Sequence, residues 1–204
     1  RVRKEGRISL THRPQNRQQA NERRGFIKHM LDLDYELAAV AIHKPSIHTP
    51  DNFKKRYFLY FYAVRLLLEA FTKPRPDLAK ERFKIVFSSR KGLSTEAFED
   101  YMDTIRGSPF VKRDYVDWSA VAPYDVECVP NRTYIGLQMA DCFASAVGKA
   151  LEHNEHDMTE CSYVRQLAPR VMRVNGSHKG YGIKLWPMPT GVFKSERFRW
   201  FHEI

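Results

Sequence analysis

The sequence predicts an α/β protein. Short apolar runs that are typical of strands alternate along the chain with longer segments of helical periodicity. The run YELAAVAIH at 35–43 is mostly apolar at consecutive positions, which indicates a strand buried on both faces and therefore a sheet covered by helices. A length of 204 residues is that of one domain, and we expect a single domain over 1–204. The chain starts at Arg1, and we expect an N-terminal piece to precede it.

The other elements follow from their starting and ending signals. Pro14 suits the first turn of an amphipathic helix, and the KPRP segment at 73–76 ends a long aromatic-rich helix. Ser94 or Thr95 can cap the next helix. In chain order we predict a helix to about Leu33, the strand at 35–43, a helix from Thr49-Pro50 to about Thr72, a strand at 83–87 and a helix at 94–106. A strand at 125–129, a helix from Ile135, and a helix from about Met158 to Val174 that is interrupted near Pro169 complete the prediction.

The stretch from Asn131 to His153, NRTYIGLQMADCFASAVGKALEH, is the segment around which the rest of the prediction is built. Asn131 and Thr133 are candidate N-caps, and strong helix formers run from Ile135 without a proline for more than four turns. Small residues recur every four positions, and we expect a strand or a second helix to pack closely on the stripe that they form. The stripe consists of Gly136, Ala140, Ala144 and Gly148.

A polar stripe on the same helix contains Gln138 and Asp141, with Ser145, Lys149 and Glu152 further along. If this stripe faces water, Asp141 is an ordinary surface residue. If its first half faces a cleft, Asp141 is a carboxylate held one to two turns from the helix start, with Gln138 one turn before it. The position of the strand at 125–129, directly before this helix, favours the cleft.

The charge of the chain favours a polyanionic partner. There are 34 Lys and Arg against 24 Asp and Glu, which gives a net charge of +10. Residues 1–28 form a basic segment, with nine Lys or Arg against two Glu. Either this segment is a solvated tail that leads into a surface helix, or it is a contact surface for nucleic acid.

Cysteine usage and hydropathy favour a cytoplasmic protein. The three cysteines cannot all pair with one another, which is simplest to explain in a reducing compartment. The most aromatic run, Phe53–Phe71, contains several charged residues, so we do not expect it to span a membrane.

Several kinds of site are disfavoured by their spacing. Cys142, His153, His156 and Cys161 lie within twenty residues, but they do not match a structural zinc pattern. The sequence lacks the G-x-S-x-G elbow that would indicate a Ser-His-Asp or Cys-His nucleophile, and it also lacks the glycine-rich phosphate loops. Carboxylate chemistry remains, through Asp141 with Glu127 or Glu96. Carboxylates that converge at the ends of strands can hold Mg²⁺, which activates water for attack on a phosphodiester.

One motif adds a family resemblance. The segment GLQMAD at 136–141 resembles the GLQ-x-AD signature of the domain-of-unknown-function 3800 family. The strand that ends at Lys44, the segment FKIVFSSRKG and the late GYGIK at 180–184 agree in order, so that the resemblance covers about residues 20–190. It implies a ribonuclease H-like fold, with a mixed sheet flanked by helices. It also implies a metal-dependent nuclease whose last acidic ligand is matched by Asp141.

The chain departs from the family pattern at other acidic positions. The opening strand with its D-E-S-G turn is absent, and Ser88-Ser89 stand where relatives often place an acidic residue. Glu96 is then a displaced substitute, and Ser9–His12 has no glutamate. Either the N-terminal piece that we expect carries the first carboxylate, or this chain is a weakened or inactive nuclease.

Two functions follow from these observations. In the first, the chain is a Mg²⁺-dependent nuclease or phosphodiester-processing enzyme that uses Asp141 as metal ligand and Gln138 to orient it. In the second, it is a catalytically silent nucleic-acid-binding or assembly subunit with the same fold. Both predict phosphate contacts, and the sequence does not distinguish DNA from RNA. The residues that we expect to make these contacts are Lys44, Arg90, Lys91 and Lys184.

Overall fold

The fold is described here from a computed structural model, which covers residues 17–72, 82–108, 116–152, 159–187 and 198–204. Helices and strands alternate, which confirms the α/β class. The helices are α1 (Arg17–Leu31), α2 (Phe58–Thr72), α3 (Thr95–Gly107), α4 (Trp118–Val121), α5 (Ile135–Leu151), α6 (Ser162–Leu167) and α7 (Arg199–Glu203). The strands are β1 (Ala39–Ile42), β2 (Lys84–Ser88), β3 (Asp125–Val129) and β4 (Ile183–Trp186).

The strands form two parallel pairs. β1 pairs with β4, with Ala39 opposite Ile183, and β2 pairs with β3, with Lys84 opposite Asp125. Within the described ranges no pairing joins the two into one sheet. The ribonuclease H-like mixed sheet that the resemblance implies therefore stays a prediction.

The chain divides into two compact units. The first contains α1, α6, α7 and the part of α5 from Met139 onward. The second contains the four strands, α2, α3 and α4, together with the start of α5 up to Gln138. The candidate residues on the strands and their following turns all belong to the second unit.

The core of the second unit is built on α2, whose aromatic side chains contact both strand pairs. The ring of Tyr60 lies 5.8 Å from that of Phe87 on β2, and the ring of Tyr62 lies 4.5 Å from that of Trp186 on β4. Phe98 of α3 is fully buried against the same cluster. The aromatic residues of this segment are thus packing residues, because their rings are used inside the unit.

The start of α2 differs from the prediction. A 3₁₀ turn at Pro50–Phe53 comes first, and the helix proper begins only at Phe58. Tyr57 has a φ of 63°, a left-handed conformation that cannot continue a right-handed helix. This residue therefore separates the two segments that the sequence joined into one.

β2 and β3 have one face in the core and one outer face. Alternate residues share a face because successive side chains of a strand point in opposite directions. Ile85, Phe87, Val126 and Cys128 pack on the core cluster. The opposite side, here called the outer face, carries Lys84, Val86, Ser88, Asp125, Glu127 and Val129.

In the first unit α5 buries a face other than the predicted one. Met139, Phe143 and Ala146 are among its buried residues, and the indole N–H of Trp200 donates to the carbonyl oxygen of Ala150 at 3.1 Å. Ala140 and Ala144 are exposed, so the prediction that the small-residue stripe is packed is wrong. Burying the larger apolar side chains removes more apolar area from water, which favours the observed orientation.

Other local predictions have mixed outcomes. The strands at 83–87 and 125–129 are confirmed within one residue, and Ser94 Oγ caps α3 by accepting from the Ala97 N–H at 3.0 Å. The first strand is shorter than predicted and only Ala39 in it is buried, so it is not covered on both faces. The predicted interruption near Pro169 is confirmed, because α6 ends at Leu167 and a separate 3₁₀ turn follows at Ala168–Arg170, but the helical segment is shorter than the predicted 158–174.

The predicted helix start at Pro14 lies outside the described residues, as do His153 and His156. Among the described helices, none combines the length and apolar character needed to cross a membrane.

Candidate nucleic-acid interface

Basic residues meet at the carboxyl end of the β2–β3 pair. The Ser89 N–H donates to the Val129 carbonyl oxygen at 2.7 Å, which extends the pairing to the last residue of β3. Arg90 and Lys91 follow on one strand, and Arg132 follows on the other. Because the strands are parallel, both exits lie at the same edge, and all three side chains are exposed.

Arg56 is fixed to this edge from a distant part of the chain. One of its guanidinium nitrogens donates to the backbone carbonyl oxygen of Lys91, and the hydroxyl of Tyr57 donates to the same oxygen. The guanidinium also lies beside Gly92, whose φ of 79° forms the turn between β2 and α3. We name Arg56, Arg90, Lys91 and Arg132 the basic edge.

The charges of the basic edge are available to a ligand. In the part of the chain that the structure describes, none of its four residues forms an ion pair with a carboxylate. The Arg90 guanidinium lies 5.5 Å from the ring centroid of Tyr60, a cation–π contact that orients it while leaving it exposed. Burial raises the pKa of Tyr60, with Arg90 acting in the opposite direction, so Tyr60 is neutral near pH 7.

Glu96 has a local role at this edge. It lies exposed in the first turn of α3, where a hydrogen bond from its own backbone N–H and bonds from the Thr95 and Ser94 hydroxyls lower its pKa. A carboxylate at this position favours the helix start. Burial and the charge of Glu96 raise the pKa of Cys128, which keeps this thiol protonated near pH 7 and excludes it as a thiolate nucleophile.

Glu127 lies on the other side of the strand pair. Its carboxylate forms an ion pair of 2.8 Å with the ammonium of Lys84 on the outer face. Cys128, which the charge of Glu96 reaches, points to the core face. The helix α3, which carries Glu96, packs on the core face through Phe98, so the structure places these two predicted carboxylates on opposite sides of the strand pair.

Asp141 is exposed on α5 and Gln138, one turn earlier, is half-buried. The two lie on one side of the helix, as their spacing requires. Asp141 belongs to the first unit, whereas Glu96 and Glu127 belong to the second. Among the described residues there is no group of three His, Cys, Asp or Glu placed to hold a metal ion. The Mg²⁺ site stays a prediction.

Two further cations predicted to contact phosphate have different surroundings. Lys44 is exposed in the 3₁₀ turn at Lys44–Ser46 that follows β1. Lys184 of β4 forms an ion pair of 2.8 Å with Glu69, which also pairs with the buried Arg65 at 2.9 Å. The charge of Lys184 is therefore used inside the second unit, and we do not include it in the basic edge.

Sequence reasoning selected Arg90 and Lys91 but missed Arg56 and Arg132. The run Lys54-Lys55-Arg56 was visible as a charge cluster, and Arg132 lies directly after a predicted strand. A rule that takes basic residues on both sides of every predicted strand exit would have found Arg132. The position of Arg56 could not be found in this way, because its contact with Lys91 spans 35 residues.

Comparison with known proteins gives no match, either to a family model, to a curated protein or to a solved structure. The resemblance to the domain-of-unknown-function 3800 family therefore depends on the GLQMAD segment and on the order of the other motifs.

Proposed function

We propose that the chain binds nucleic acid through its phosphate backbone, at the basic edge. The observation that carries the proposal is the meeting of cations from three chain segments, at 56, 90–91 and 132, without an internal carboxylate partner in the described ranges. Arginine suits this role because its planar guanidinium is always charged and can donate two parallel hydrogen bonds to the oxygens of one phosphate. The net charge of +10 acts in the same direction.

The packing of the basic edge supports the proposal in a second way. Arg56 is held by its bond to the Lys91 carbonyl, and Arg90 is held against Tyr60. A side chain that is already ordered loses less conformational entropy when it binds a ligand. These contacts leave other guanidinium nitrogens free to donate to phosphate.

The test compares two Arg→Gln variants of the same unit by titrating a labelled oligonucleotide over a range of salt concentrations. Arg90→Gln removes a cation of the basic edge, and we expect the magnitude of the salt dependence, the slope of log K against log salt, to fall by about one. Arg106→Gln makes the same charge change in the last turn of α3, about 16 Å along a helix that starts at this edge.

We expect Arg106→Gln to change the affinity less than about twofold, since it lies away from the site. Equal losses in the two variants would show that only the overall charge matters. A wild-type chain with no affinity at low salt would overturn the proposal.

A nuclease is the second candidate, and the observation that favours it is Asp141. Its carboxylate is exposed, follows Gln138 by one turn and has no ion-pair partner among the described residues, so it is accessible to a divalent cation. A hydrolytic site needs further ligands, from substrate oxygens or from other carboxylates. The Asp141→Asn variant considered in the Discussion separates this candidate from simple binding.

A further inference from the structure

Two adjacent apolar side chains are exposed directly after the basic edge. Tyr134 is 41% exposed and Ile135 is 57% exposed, and Leu33 is the other large apolar residue exposed to this degree among those described. Single exposed apolar residues are normal on protein surfaces, but adjacent ones beside a charged site suggest contact with a ligand.

Tyr134 follows the basic edge directly along the chain. A 3₁₀ turn at Asn131–Thr133, which carries Arg132, connects β3 to Tyr134. The pKa of Lys84 is raised by its hydrogen bond to Glu127 and by the charge of that carboxylate, with a further contribution from Tyr134. Tyr134 is thus within electrostatic range of Lys84 on the outer face, and it follows Arg132 by two residues in the chain.

The Tyr134 side chain is partly exposed, and no specific polar or aromatic contact holds it among the described residues. Within the described ranges its hydroxyl makes no hydrogen bond and its ring makes no aromatic contact. It also immediately precedes α5, where short polar residues that cap a helix are preferred. An exposed aromatic residue at this position has no evident structural role.

We propose that the nucleic acid bound at the basic edge is single-stranded and that Tyr134 stacks on one of its bases. The inference rests on the proposed function, because the phosphates must first be held by the basic edge. A duplex covers both faces of its internal bases, whereas a single strand presents phosphates and open base faces together. An aromatic ring two residues from Arg132 matches that combination of groups.

The experiment separates phosphate binding from stacking. Fluorescence anisotropy measures the affinity for an oligothymidylate of about 12 nucleotides, for an abasic strand with the same phosphates, and for a duplex of equal length. The wild-type chain should bind the base-bearing strand about fivefold or more tightly than the abasic strand, since one stacked base contributes at least about 1 kcal/mol.

Three variants complete the test. Tyr134→Ala should bind the two single strands equally, whereas Tyr134→Phe keeps the ring and should behave as wild type. Leu33→Ala removes an exposed apolar side chain of the first unit and should leave the preference unchanged. Circular dichroism and a thermal midpoint for each variant show that the comparison is between folded proteins.

The possible failures differ. If the wild type binds neither strand at low salt, the proposed function itself is wrong. If it binds both strands equally and Tyr134→Ala changes nothing, phosphate binding stands and stacking is wrong. Tighter binding of the duplex than of either single strand would also overturn the inference.

Discussion

The guanidinium of Arg56 occupies the space into which a side chain at residue 92 would extend. A Cβ built on Gly92 would lie 2.8 Å from Arg56 Nη1. Gly92 has a φ of 79°, which glycine adopts without the steric cost met by other residues. The turn between β2 and α3 therefore both directs the chain into the helix and makes room for a cation of the basic edge.

Gly92→Ala should destabilise the protein by about 1–2 kcal/mol, because alanine is strained at a positive φ. The added methyl should also displace the flexible guanidinium and weaken oligonucleotide binding. Urea unfolding and the salt titration measure the two effects. Gly148→Ala is the control: its Cβ would meet nothing within 4 Å, and removing a glycine from a helix interior should stabilise by about 0.5–1 kcal/mol. A loss of stability in both variants would contradict the strain argument.

Ala144→Leu should change the free energy of unfolding by no more than about 0.5 kcal/mol, because Ala144 is exposed on α5. Ala146→Leu makes the same change two residues later, where the residue is fully buried, and should cost about 1–3 kcal/mol by overpacking. Thermal or urea unfolding of the pair tests which face of α5 is packed. A larger cost at Ala144 would restore the orientation predicted from the sequence.

The orientation of α5 shows what the sequence could and could not provide. The spacing of Gly136 and Ala140 fits a helix equally well whether their side faces the core or water. The choice depends on partners elsewhere in the chain, such as Trp200, which bonds to Ala150. Local signals were sufficient for β2, β3 and the Ser94 cap, because those depend on neighbouring residues.

The same distinction applies to the candidate site. Arg90 and Lys91 could be predicted because they follow a strand directly. Arg56 could not, since only the fold brings it to the Lys91 carbonyl. Glu127 was grouped with Glu96 because the order of elements does not reveal on which face of a strand each side chain acts.

Glu69→Ala should be strongly destabilising. The Glu69 side chain is 12% exposed and pairs with Arg65 at 2.9 Å and with Lys184 at 2.8 Å, so its loss leaves two cations without their carboxylate in a largely buried site. We expect a cost of about 3 kcal/mol, measured by urea unfolding. Asp51→Ala breaks the exposed pair with Lys54 and should cost less than about 1 kcal/mol. Similar costs for the two variants would show that Glu69 is not an internal counter-ion.

Asp141→Asn tests the nuclease candidate while preserving the shape of the side chain. Because Asp141 is exposed on α5 and has no ion-pair partner among the described residues, the free energy of unfolding of the variant should differ from that of the wild type by no more than about 0.5 kcal/mol. Oligonucleotide affinity in the presence of a chelator should also be unchanged, since the basic edge is intact.

With Mg²⁺ added, simple binding predicts that neither wild type nor variant cleaves a labelled strand. Cleavage by the wild type that is lost in Asp141→Asn would instead establish a metal-dependent role for this carboxylate. Cleavage at equal rates by the wild type and the variant would assign catalysis to other residues. A variant that fails to fold would show that Asp141 makes a structural contact.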